Sequence, residues 1–384
     1  MKEWFCLKEK DYFYIDPQED ARVYFGRQEL QQRLRETLRN SFMTKAGVPK
    51  ILVWGPWGGG KTHTLFHIKY FLEHDTEVPP CEVIYFDLGP LASRSTYGRL
   101  HRMFMETLGM ETVRGLANDL LSSMVGPDLE DRLGRYFPNP NIGNALRSLS
   151  YGGSAPQSLL AWKWLCGENL REDQQRTLPA TKNLTGEGEL IEAALAVGKL
   201  MRETRKRRII YLVDEAEQLN SVTNPDAERT FIWSIRQLAD ETVNRLIGFV
   251  FAATARTGEE LPTILQREEI RSRIRDPNII AIEHFGGVKD IRNFVVELLQ
   301  ALVDRKKAEQ EIQKHSLPTT PECYPFTEDA LDQFCEFLNE PGATGQLRSL
   351  PREIIGAIND CAVRAYRAGE RVIDLHQIEA QRVE

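Results

Sequence analysis

The sequence predicts an α/β protein, a three-layer core on a parallel five-stranded sheet followed by a smaller all-helical domain. Three observations carry that expectation. Near-continuous apolar runs at 50–55, 82–87, 208–213, 246–252 and 278–282 read as strands buried on both faces. A glycine-rich loop joins the first run to a helix-patterned segment, and beyond about residue 285 the pattern is helical alone.

Composition supports a globular chain. The 384 residues suffice for two or three domains, and 41% hydrophobic residues with only 19 Pro and 27 Gly exclude disordered and collagenous classes. A net charge of −7 does not announce a nucleic-acid binder, although a local basic face stays compatible with one. Six cysteines, Cys6, Cys81, Cys166, Cys323, Cys335 and Cys361, show neither C-x-x-C nor zinc-ligand spacing and read as reduced thiols. With no apolar h-region near the N-terminus and no run approaching 18 apolar residues, the expected location is the cytoplasm, with no membrane contact.

In chain order, 25–38 places Leu30, Leu34 and Leu38 every four residues and predicts a helix ahead of the first strand. After the loop, Leu65, Ile68, Phe71 and Leu72 recur at helical spacing. Helix-like segments at 99–108, 113–124, 155–165 and 187–205 are broken by Gly126-Pro, Pro138-Asn-Pro, Tyr151-Gly-Gly-Ser and Gly186-Glu-Gly. Residues 93–200 therefore read as a helical, loop-rich insertion. At the far end, 288–303 carries an apolar stripe, Thr327 can cap a helix, Pro351 can open one that stops at Gly369, and Asp374-x-x-Gln377 resembles a capping box. The expected domains are a 1–22 extension, a 23–284 core containing the insertion, and a 285–384 helical domain.

Gly55-Pro-Trp-Gly-Gly-Gly60-Lys61-Thr62 satisfies G-x-x-x-x-G-K-[ST] between a strand and a helix, the context that motif requires. Gly55, Gly58, Gly59 and Gly60 let backbone N–H groups wrap phosphates, Lys61 reaches the β/γ-phosphates, and Thr62 can hold Mg²⁺. His63, next in the helix, is counted with the nucleotide-binding set. The run 209–213 ends in Asp214 and Glu215, a strand-end pair suited to holding a metal-bound water and activating an attacking one. No guanine-specifying Asn-Lys-x-Asp occurs, which points to ATP with Mg²⁺.

These residues resemble the AAA+ P-loop ATPases, in the branch of the initiator, loader and transposition-regulator ATPases. The resemblance rests on Phe25-Gly-Arg-Gln-Glu-Leu, the P-loop, the stretch from Leu212 to Leu219, Arg271-Ser-Arg-Ile and Pro351-Arg-Glu-Ile-Ile, and covers about residues 20–90 and 200–380. It implies that Thr254 positions the attacking water, with Thr257 competing. It makes Arg273, with Arg271 as substitute, a finger reaching a neighbour's γ-phosphate, so that hydrolysis depends on assembly. Arg352 resembles the lid arginine that senses nucleotide in cis, with Arg348 as competitor; an arginine at a helix N-terminus is electrostatically misplaced unless it has another task.

Two departures qualify the likeness. The 153 residues from Lys61 to Asp214 exceed the roughly 60 that two crossovers need. The winged-helix domain usual in initiators has no room before Glu384. Arg202, Arg205, Lys206, Arg207 and Arg208 form a basic cluster read as a solvated helix end rather than a DNA contact. Trp162 and Trp164 offer a partner hot spot or helical packing. The expectation is an ATP-hydrolysing switch that forms a homo-oligomeric ring or filament and engages a protein partner through 93–200. Nucleic acid enters as a partner read without sequence specificity, in transposition, replication initiation or mobile-element defence. The rival is a signalling or scaffold NTPase in which nucleotide locks an assembly without direct DNA binding.

Overall fold

The computed structural model describes residues 1–44, 47–124, 129–150, 154–178, 182–240, 244–341 and 348–383. The Gly126-Pro turn, Tyr151-Gly-Gly and Gly345-Gln-Leu lie outside the described residues. The five apolar runs form strands β1 (Lys50–Gly55), β2 (Cys81–Asp87), β3 (Arg208–Asp214), β4 (Ile247–Thr254) and β5 (Ile279–Ala281). They make one parallel sheet in the order β2-β3-β4-β1-β5. β3 and β4 are buried at nearly every position, so both faces of the sheet are covered, which is why their sequences run apolar without alternation.

Helix α1 (Gln28–Met43) precedes the sheet and α2 (Lys61–His74) follows β1. Between β2 and β3 stand α3 (Tyr97–Leu108), α4 (Met110–Ser123), α5 (Leu129–Tyr136), α6 (Pro140–Leu149), α7 (Ala155–Leu165), α8 (Glu172–Thr177) and α9 (Glu187–Thr204). α10 (Pro225–Ala239) connects β3 to β4, and α11 (Thr263–Gln266) and α12 (Glu268–Ile274) precede β5. The last stretch is helical throughout: α13 (Val288–Leu302), α14 (Arg305–His315), α15 (Glu328–Asn339), α16 (Pro351–Ala368) and α17 (Leu375–Val383). Among the described residues no helix is long and apolar enough to cross a membrane.

The chain divides into two compact units. One comprises Arg35–Trp54 and Ile68–Ala281 and holds the sheet with α3 to α12. Its core includes Phe104 stacked on Tyr211 with ring centroids 4.2 Å apart, and Trp164, fully buried, whose indole N–H donates to the Lys182 carbonyl at 2.9 Å. Trp164 is therefore packing, while Trp162 is partly buried against the same core. The basic cluster is also engaged. Arg205 pairs with Asp119 at 2.9 Å, Arg207 with Glu82 at 2.8 Å, and Arg208 lies over the Phe42 ring.

The other unit comprises Met1–Leu34, Gly55–His67 and Ile282–Glu384. Its helices start as their caps dictate: the Thr327 hydroxyl accepts from the Ala330 N–H, Pro351 opens α16, and Gly369 closes it in a left-handed conformation at φ 77°. The first residues complete its core. Phe5 and Phe13 are fully buried with Phe294, Phe326 and Phe334. Asn359 accepts from the Phe13 N–H at 3.0 Å and donates back to its carbonyl at 2.6 Å. Leu7 bridges to Val303, and the Trp4 indole donates to the Glu370 carbonyl at 2.7 Å.

Candidate functional site

The phosphate-loop residues are shaped by glycine. Gly58 and Gly60 adopt φ of 79° and 94°, open to glycine at little cost, and a Cβ on Gly55 would fall 2.5 Å from the Ile282 carbonyl oxygen. The Lys61 ammonium is largely buried and donates to the Gly55 and Pro56 carbonyls at 3.3 and 3.1 Å. Lys61 and Thr62 open α2, so the loop runs directly into the helix N-terminus, where backbone N–H groups and the helix dipole suit an anion.

Residues 21–25 are fastened to the first turns of α2. The His63 Nε2–H donates to the Val23 carbonyl at 2.8 Å, His67 Nδ1–H to the Ala21 carbonyl at 2.8 Å, and the Tyr24 hydroxyl bonds the Thr64 hydroxyl at 2.9 Å. Burial pushes the His63 imidazole below its ordinary pKa, which favours the neutral ring. The His63 side chain thus fixes the segment before α1.

Arg352, second residue of α16, brings its backbone N–H within 3.5 Å of the Gly58 carbonyl and lays its guanidinium over the Trp57 ring at 3.8 Å. Arg348 lies instead over the Phe337 ring at 4.8 Å. Of the two competing arginines, Arg352 is the one at the phosphate loop.

In the sheet-bearing unit the carboxylates collect where β2, β3 and β4 end. Asp214 is 4% exposed; its Oδ1 accepts the Glu215 N–H at 2.9 Å and its Oδ2 accepts the Tyr85 hydroxyl at 3.1 Å. Asp87, last residue of β2, is in register with Asp214. Glu215 then turns left-handed, at φ 53° and ψ 36°, a strained conformation for a residue with a Cβ and one common at functional sites. Burial first, then the charges of Asp87, Glu217 and Asp214, raise the Glu215 carboxyl above the ordinary carboxylate range. Thr254 ends β4, and its N–H donates to Glu217 Oε2 at 2.8 Å; Thr257 lies beyond the strand, before a short 3₁₀ turn. This surplus of negative charge fits a divalent cation held by few protein oxygens, as Mg²⁺ is held when phosphates supply the rest. Among the described residues no group of three His, Cys, Asp or Glu forms a self-contained metal site.

Arg273, near the end of α12, donates through Nε to Asp240 at 3.1 Å and through a terminal nitrogen to the Glu269 carbonyl at 2.7 Å, and its side chain is 25% exposed. Arg271 approaches Asp276 at 3.9 Å and is 51% exposed. The sequence reading did not single out Trp57, Tyr85, Asp87 or Glu217. Trp57 sits inside the phosphate-loop motif at a position the pattern leaves free, and Tyr85 and Asp87 could be found from the pairing of the second run with the third.

No family model matches the chain, and no curated protein does. Among solved structures, the ORC2 protein of Aeropyrum pernix in its ADPNP-ADP complexes superposes over 100% of this chain and 71% of its own, at 12% identity and a TM-score of 0.51. The Aeropyrum pernix ORC1 protein in complex with DNA covers 99% and 68% at 13% identity, TM-score 0.49. Cdc6p from Pyrobaculum aerophilum covers 97% and 68% at 14% identity, TM-score 0.46. The fold is that of an AAA+ P-loop ATPase. At 12% identity the likeness to the ORC2 protein is one of fold.

Proposed function

We propose that this chain binds and hydrolyses ATP as an AAA+ molecular switch, self-associates when ATP-bound, and recruits or remodels a partner on nucleic acid, with replication initiation the leading setting and transposition or mobile-element defence the others. The observation that carries this reading is the glycine-shaped loop 55–62, with Lys61 poised at the start of α2, on an AAA+ fold. Lys61 and the loop N–H groups hold the phosphates, and Thr62 and Asp214 hold Mg²⁺, which neutralises charge on the β/γ oxygens. Glu215 takes the proton of the attacking water while Thr254 orients it. Arg352 senses the nucleotide from 285–384, Arg348 being the substitute, and Arg273 or Arg271 serves a neighbouring copy.

The insertion at 93–200 carries partner specificity, because loop-rich additions to a rigid core are where binding surfaces gather. Since Arg205, Arg207 and Arg208 are already engaged, nucleic acid is reached through assembly or through a partner. Calorimetry and turnover test the core of the reading. Lys61→Ala is expected to lose nucleotide binding, whereas Glu215→Gln binds ATP and leaves it uncleaved; equal hydrolysis by Glu215→Gln and the wild type would remove Glu215 from the role of base.

One observation favours a second reading. Arg273 is held by Asp240 within its own chain, which fits slow hydrolysis and a scaffold or signalling NTPase locked by nucleotide. Turnover with and without duplex DNA separates the two: strong stimulation supports the switch, indifference the scaffold.

A further inference from the structure

Trp57 is a large apolar side chain left 70% exposed inside a phosphate loop, so its packing adds little to the core. What it does touch is Arg352. The guanidinium rests 3.8 Å from the ring centroid, and the backbones beneath are close: a Cβ on Gly58 would fall 3.2 Å from the Arg352 Cβ, and one on Gly60 would fall 3.9 Å from Pro351. Arg352 makes no ion pair among the described residues, so the indole face is where its charge is held. Lys61 is held in a similar way, on the Gly55 and Pro56 carbonyls.

We propose that Trp57 is the positioning residue for Arg352, holding the guanidinium on its ring until a nucleotide phosphate displaces it. The inference rests on reading 55–62 as a nucleotide site. A cation over an indole at an exposed position is bound weakly, whereas an arginine–phosphate hydrogen bond is charge-assisted and bidentate, so the phosphate wins the guanidinium. Binding must first break the Trp57–Arg352 contact, and Trp57 thereby lowers nucleotide affinity. Breaking the contact also changes the surroundings of the indole, which makes its emission a reporter of the site.

The test measures affinity of the full chain for a non-hydrolysable ATP analogue. Trp57→Ala is expected to tighten binding about two- to five-fold, the worth of one exposed cation–π contact, with Trp57→Phe in between. In an Arg352→Ala background the same Trp57→Ala change is expected to do nothing, because the partner it acts through is gone. The emission difference between wild type and Trp57→Phe should shift on adding analogue. Weaker or unchanged binding by Trp57→Ala overturns the proposal, as does equal tightening in the Arg352→Ala background. Wild type and Lys61→Ala run alongside: a wild type that binds no analogue overturns the nucleotide reading itself, whereas binding lost in Lys61→Ala upholds it and leaves the Trp57 variants to decide the inference. Since Trp57 is exposed, unchanged melting of its variants shows that they fold.

Discussion

Glu215 is the side chain whose protonation decides turnover in the proposed mechanism. Its carboxyl is raised by burial and by Asp87, Glu217 and Asp214, so it keeps its proton to higher pH than a free carboxyl. A base must be deprotonated, and turnover is therefore expected to rise with pH along a limb lying above the ordinary carboxylate range. Asp87→Asn removes one of the raising charges and should move that limb to lower pH; a pH–rate profile of the two proteins checks both shifts. An unmoved limb would detach Asp87 from Glu215. Lys61 and Thr62 could be singled out in the sequence because a contiguous motif joins β1 to α2, and Asp214 and Glu215 because they follow directly on an apolar run. Tyr85 and Asp87 were not, because what they do depends on β2 lying beside β3 in one register. Trp57 was hidden for a different reason: the motif constrains glycines and lysine, and says nothing of a ring that matters through its contact with α16.

At the scale of elements, the strands were legible because a parallel strand covered on both faces must be apolar along its length. α10 was missed although its start is well marked, the Asn224 side chain accepting the Asp226 and Ala227 N–H groups with Pro225 next in line. α14 was missed because it buries a single residue, Ala308, and its polar surface carries no stripe. Residues 1–22 were expected as an extension, yet Phe5 and Phe13 are fully buried in the helical core. Their placement has no periodic signature, since the segment is neither helix nor strand. Phe13→Ala is expected to cost about 3–5 kcal/mol, the usual cost of removing a buried phenyl ring. Urea unfolding of the full chain checks it, with Tyr12→Ala, at a side chain 52% exposed, as the near-neutral control. Equal stability of the two variants would mean that the segment does not hold this unit together.

For the whole molecule, the proposed hydrolysis in trans has a direct consequence. Arg273→Ala should bind ATP like the wild type, since Lys61 and Thr62 act within the chain, yet lose turnover by roughly 10³–10⁵ if the arginine serves a neighbour's γ-phosphate. Mixing Arg273→Ala with Lys61→Ala should restore activity, because an intact loop then meets an intact arginine at some interfaces. Wild-type specific activity should also rise with protein concentration. No rescue, with activity independent of concentration, would place catalysis within a single chain and leave Arg273 as the partner of Asp240. The pairing of Phe13 with Asn359, 346 residues apart, bears on how the protein is made. A ribosome adding ~5–20 residues per second takes roughly 20–70 s to pass from one to the other. Throughout that interval the aromatic side chains of the first residues wait outside the ribosome without their partners, a nascent-chain segment open to chaperones until the last helices emerge to receive it.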